Sequence, residues 1–126
     1  MKKTIYDLDL NDLKTMIESC DWKVKILDEY LWELSRTIDE KNRFCFEVKV
    51  MEQPIFTVLA IIKYSKDFDA DSYIKDILKS RRGNQYPTYE QIAKIANDIG
   101  WELIRLRLCL PSRVSDLIKK YDLITV

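Results

Sequence analysis

Residues 10–38, LNDLKTMIESCDWKVKILDEYLWELSRTI, decide how the N-terminal third folds. Leu10, Leu13, Ile17, Cys20, Val24, Leu27, Leu31, Leu34 and Ile38 follow one another at alternating steps of three and four, and Tyr6 extends the series backwards. All nine positions of this seam are apolar, whereas only Met16, Trp22, Ile26, Tyr30 and Trp32 are apolar among the twenty positions between them. A heptad-like stripe of this length predicts one long helix, or two in line, starting near Asp9 or Asn11. Trp22-Lys23-Val24-Lys25-Ile26 also alternates, so a short strand there is the rival reading. A helical seam packs on the protein's own sheet or stays open. In the second case Trp22, Tyr30 and Trp32 form a partner surface, or the seam joins two copies as a homodimer, since aromatic anchors are enriched at interfaces.

Outward from that stretch the pattern changes. Phe44, Phe46, Val48 and Val50 alternate with Cys45, Glu47, Lys49 and Met51, the period of a half-buried strand. Glu52-Gln53-Pro54 reads as a turn, and the apolar, β-branched run 55–64 as a central strand covered on both faces. Asp69 and Asp71 suit the start of a helix with Ala70, Ile74, Ile77 and Leu78 inward, closed by Gly83. Pro87 and Thr88 open the next helix, with Gln91 placed for a capping box, Ile92, Ala93, Ala96 and Ile99 inward, and Gly100 at its end. Ile104, Leu106, Leu108 and Leu110 alternate as a third strand, and Pro111-Ser112 leads into a last helix carrying Val114, Leu117, Ile118 and Tyr121. The expected class is α+β, a small, mainly antiparallel sheet of about three strands (43–51, 55–64, 101–110) packed with helices in the order α–β–β–α–α–β–α. No repeat or linker divides residues 1–126, so one domain is expected.

Composition removes many chemistries. The 126 residues hold 21 Lys and Arg, 21 Asp and Glu, no histidine and two glycines. Without histidine there is no Ser-His-Asp or Cys-His catalysis and no histidine-based zinc site. Two glycines cannot supply a phosphate-cradling loop or a dinucleotide fingerprint. Neither a cofactor nor a metal is expected. Cys20, Cys45 and Cys109 are widely spaced among apolar neighbours, and their odd number argues against a disulfide framework, so all three are expected as free thiols in the core. The longest apolar run, Val58 to Ile62, is far short of the ~20 residues that span a bilayer, and no apolar leader follows Met1. A cytoplasmic protein with no membrane contact is expected. Abundant Lys and Ile with few Ala and Gly is the pattern of AT-rich coding, found in low-GC bacteria, archaea and their viruses or plasmids.

Three patterns point to function. Glu47-Val48-Lys49, preceded by Asp28 and Asp39, resembles the carboxylate-and-lysine strand of metal-dependent nucleases, although such a triplet is also common on any solvated strand face. Residues 92–110 partly fit a helix-turn-helix, with Ile95, Ala96, Ile99, Gly100, Leu106 and Cys109 at its apolar or small positions, but Leu103 and Ile104 stand where polar readers of DNA belong. Charge is the third. Residues 1–78 carry 12 basic and 16 acidic side chains, a net of −4, and residues 79–126 carry 9 and 5, a net of +4. Lys79, Arg81, Arg82, Arg105, Arg107, Arg113, Lys119 and Lys120 would form a nucleic-acid-binding face if the fold brings them together. With the catalytic kits excluded, three tryptophans and seven tyrosines favour a small binding or regulatory module docking on a protein partner. Nucleic-acid binding is second and a metal-dependent nuclease third.

Overall fold

The computed structural model describes residues 4–79 and 88–124. Helix α1 (Leu10–Glu18) starts at Asp9, whose carboxylate accepts from the Asp12 N–H at 2.9 Å while the Asp12 carboxylate accepts from the Asp9 N–H at 3.0 Å. It ends at Glu18, and three residues on Asp21 takes a left-handed conformation (φ 64°) that aspartate tolerates better than most side chains. Beyond this break the chain runs extended as β1 (Lys23–Asp28), β2 (Leu31–Thr37) and β3 (Arg43–Lys49), an antiparallel meander in the order β1-β2-β3.

The long N-terminal helix expected from the seam is therefore not formed. The first helix is short, and the strand rival for 22–26 is what the chain adopts. Only Leu13 and Ile17 of the seam are buried in α1, beside the off-seam Met16. Later seam members divide between the two faces of the sheet. Leu34 enters the core together with the off-seam Trp32, and Leu31 lies on the opposite face, because strand side chains alternate whatever the heptad spacing.

β2 pairs with β3 through Leu31↔Lys49, Trp32↔Val48, Leu34↔Phe46 and Arg36↔Phe44, and with β1 through Val24↔Leu34 and Ile26↔Trp32. Phe44, Phe46 and Val48 face the helices, while Arg43, Cys45, Glu47 and Lys49 face outward, so the alternation expected in 43–51 is realised in a sheet covered on one side.

The other two expected strands are helical. Residues 55–64 lie in α2 (Pro54–Asp67), which begins with proline in its first turn, where the missing N–H costs nothing. Among its buried residues, Ile55, Val58, Ile61, Ile62 and Ser65 repeat at helical spacing, and the run is apolar almost throughout because α2 packs against both β3 and the long helix α4. Periodicity cannot separate such a helix from a doubly covered strand. Residues 101–110 are the second half of α4 (Tyr89–Cys109), which opens with the Thr88–Gln91 capping box and runs through Gly100 without stopping. Ile92, Ala96, Ile99, Leu103 and Leu106 make one stripe facing inward. The observed order is α–β–β–β–α–α–α–α.

Helix α3 (Ala70–Lys79) packs Ile74 against Ile92 and Ala96 at the start of α4, a small satellite cluster. The main core joins α1, the inner sheet face, α2, the rest of α4 and Leu117 of α5 (Val114–Tyr121). Two buried hydroxyls tie these layers together: Ser65 Oγ donates to the Leu103 carbonyl at 2.9 Å, and Thr57 Oγ1 accepts from the Met51 N–H at 2.7 Å. Cys20, just after α1, and Cys109, at the end of α4, form a disulfide across 89 residues, and Cys45 is free and exposed. The expectation of three buried free thiols is corrected on both counts. The ends of α1 and α4 meet in space, and Cys45 takes an outward position in β3. No helix among the described residues is long and apolar enough to cross a membrane.

Candidate docking surface

The residues singled out from the sequence are widely distributed. Trp22 and Trp32 are 2% and 1% exposed and fill the centre of the core, so they offer no surface. Trp22 meets Phe46 edge to face at 5.7 Å. Tyr30, in the turn between β1 and β2, is 55% exposed. Of the basic residues, Arg81 and Arg82 lie outside the described residues. Lys79 ends α3 beside the first half of α4, whereas Arg105 and Arg107 lie in its second half, a helix rise of roughly 20 Å from Ile92. Arg105 is engaged by Glu102 at 2.8 Å. Arg113 caps α5 at one end, and Lys119 and Lys120 lie in its last turn at the other. The length of α4 keeps Lys79 apart from Arg105 and Arg107.

Glu47 and Lys49 lie on the open face of the sheet. Asp39 is in the β2–β3 turn, beyond the Thr37↔Arg43 end of the ladder, and that end already lies four residues, about 13 Å, along the strand from Glu47. Its carboxylate serves the turn, accepting from the Lys41 and Asn42 N–H groups and the Asn42 side-chain amide, and these bonds hold it below the usual aspartate range. Asp28 belongs to the other end of the sheet, beside Leu31. Among the described residues no group of three carboxylate or cysteine side chains is placed to hold a metal ion. The stretch expected as a helix-turn-helix is the continuous helix α4, with Leu103 and Leu106 in the core.

A different surface stands out, and it includes Phe56 and Leu59 of the run that periodicity assigned to a strand covered on both faces. The Tyr30 carbonyl accepts from the Val50 N–H at 2.9 Å, bringing the β1–β2 turn against the chain as it leaves β3. The Met51 N–H then turns inward to Thr57, which sets the start of α2 beside it. At this end of the molecule Leu27, Tyr30, Met51, Phe56 and Leu59 are each between 41% and 58% exposed. Met51, Gln53, Phe56, Leu59, Ala60 and Lys63 line one shallow apolar groove. A bulge between Ile26 and Asp28 turns Leu27 out of the regular ladder beside Tyr30. Single exposed apolar side chains are ordinary, but several grouped at one end are the feature that marks an interaction surface. The sequence signal for it existed: α2 is apolar on more sides than its two neighbours can cover.

Comparison with family models, with curated proteins and with solved structures gives no match.

Proposed function

We propose that this protein is a non-enzymatic docking module that binds a protein partner through the apolar end formed by Leu27, Tyr30, Met51, Phe56 and Leu59. The observation that carries the reading is the grouping of these side chains, held together by the Tyr30–Val50 and Met51–Thr57 hydrogen bonds. Burying them against a partner gains about 25 cal/mol for each Å² of apolar surface removed from water, and aromatic residues such as Tyr30 and Phe56 are the kind that dominate interface energies. Among the described residues no group of three carboxylate or cysteine side chains is placed to hold a metal ion, so a metal-dependent nuclease has less support. With Lys79 kept apart from Arg105 and Arg107 by the length of α4, we rank nucleic-acid binding second.

The test uses the full chain and a Phe56→Ser/Leu59→Ser variant, both changes on the exposed face of α2, where folding should tolerate them. A partner protein captured from native extract by the wild type and lost with the variant, at unchanged thermal stability, is expected. Identical capture by both chains would remove the proposed surface. Retention on heparin that only high salt reverses would move the reading to nucleic acid.

A further inference from the structure

β1 ends the sheet. β2 occupies one of its edges, and no strand among the described residues occupies the other. Five of its six residues are exposed, and Val24 is half-buried. Because backbone donors and acceptors in an antiparallel strand alternate between its two edges, the outer edge of Lys23–Ile26 presents unpaired N–H and C=O groups up to the bulge at Leu27. The side chains differ between the two faces. Val24 and Ile26, opposite Leu34 and Trp32, lie on the core side, and Ile26 is still 56% exposed. Lys23 and Lys25 lie on the open side, opposite Ser35 and Glu33. Glu33 is taken by Arg43 at 3.3 Å, and neither lysine makes an ion pair among the described residues.

Resting on the docking reading above, we infer that β1 receives an extended segment of the partner as a fourth strand, one that alternates apolar and acidic residues. Its backbone satisfies the free edge, its apolar side chains cover Ile26 on the core side, and its carboxylates meet Lys23 and Lys25 on the open side. The apolar end at Leu27 and Tyr30 continues the same surface beyond the strand.

A second copy of this chain does not fit that edge. Two-fold antiparallel pairing keeps like faces together, so the registers that align the regular residues 23–26 set Lys25 opposite Lys25 or Lys23 opposite Lys25. Like charges directly opposite destabilise a pair. The two lysines and the bulge thus guard the edge against self-association while leaving it open to an acidic strand.

The probe is a ten-residue peptide alternating valine and glutamate, compared with one alternating valine and lysine, added to the full chain while backbone amide exchange is followed residue by residue. Slowed exchange within residues 23–26 is expected with the glutamate peptide alone. Lys23→Glu/Lys25→Glu should weaken that peptide by about tenfold or more and favour the lysine peptide instead. Equal binding of both peptides to the wild type, no binding of the glutamate peptide at millimolar concentration, or a concentration-dependent dimer of the free chain would overturn the inference. Protection confined to Met51–Leu59 would also overturn it while leaving the docking surface standing. Strand protection with partner capture unaffected by Phe56→Ser/Leu59→Ser would do the reverse.

Discussion

Arg36 on β2 donates through Nε to the Glu102 carboxylate on α4 at 2.5 Å, across 66 residues of sequence, and its Nη1 donates at 2.6 Å to the carbonyl of Asp21 where the chain leaves α1. One guanidinium thus joins three elements. The Glu102 side chain is 16% exposed, so the pair is partly withdrawn from water and its loss is felt more than that of a surface pair. Arg36→Ala leaves both the carboxylate and the Asp21 carbonyl short of a donor and should cost about 1–3 kcal/mol in urea unfolding. Arg105→Ala, which removes the exposed partner of the same carboxylate, should cost less than about 1 kcal/mol. Equal losses from the two would refute this assignment.

The Cys20–Cys109 link closes most of the chain into a loop, and removing such a link from the unfolded ensemble typically costs about 2–5 kcal/mol. Cys20→Ser or Cys109→Ser should lower the unfolding midpoint of oxidised protein, and a reductant should abolish the difference from wild type. Native, unreduced protein should react quickly with one equivalent of a thiol reagent, at Cys45, and reduced, unfolded protein with three. Three slow thiols in the native state would restore the earlier expectation of buried cysteines.

Single substitutions separate the strand from the helix that the seam suggested. Ile26→Ala and Leu27→Ala alter exposed side chains and should each cost less than about 1 kcal/mol, whereas Trp22→Ala opens the core and should cost about 3–5 kcal/mol. A helical seam would instead make Leu27 the most sensitive of the three in thermal unfolding.

Gly100 lies inside α4, and a Cβ added there would meet nothing within 4 Å. Gly100→Ala should therefore raise stability by about 0.5–1 kcal/mol, because alanine loses less backbone freedom in a helix. A loss of stability would mean that the helix breaks at this point.

Asp39 and Asp69 both titrate below 3.8. Asp39 is lowered first by the Lys41 N–H, and Asp69 first by the Ser72 side chain. A depressed folded pKa contributes stability that is present above the unfolded value and lost as pH falls through the folded one, so both turns should stay ordered at neutral pH and loosen only below pH 3.8. Tyr64, Tyr73 and Tyr121 are raised above 10.0, each chiefly by burial, so their contribution is intact below pH 10 and lost as pH rises through the folded values. Carboxyl and ring resonances followed by NMR titration should show both displacements. Unshifted midpoints would contradict the turn geometry and the tyrosine burial.

Sequence alone determined the α+β class, the strand at β3, the Thr88–Gln91 capping box and the presence of helices at α3 and α5, while it left the start of the first helix open between Asp9 and Asn11. These follow from local rules: a half-buried strand must alternate, and a helix start needs an acceptor for its free N–H groups. Tertiary structure decided the rest. The seam from Leu10 to Ile38 fits helix and strand alike in its central part, and in the fold the helix stops at Glu18 and the left-handed Asp21, whose carbonyl accepts from Arg36 of β2, leads into the strand. Residues 55–64 are apolar almost throughout because α2 lies between a sheet and a helix, a condition set by partners far along the chain. The contact between Cys20 and Cys109, and the exposed grouping of Leu27, Tyr30 and Phe56, exist only once the elements are assembled. Spacing records which residues prefer to leave water, and the packing of whole elements decides which of them can.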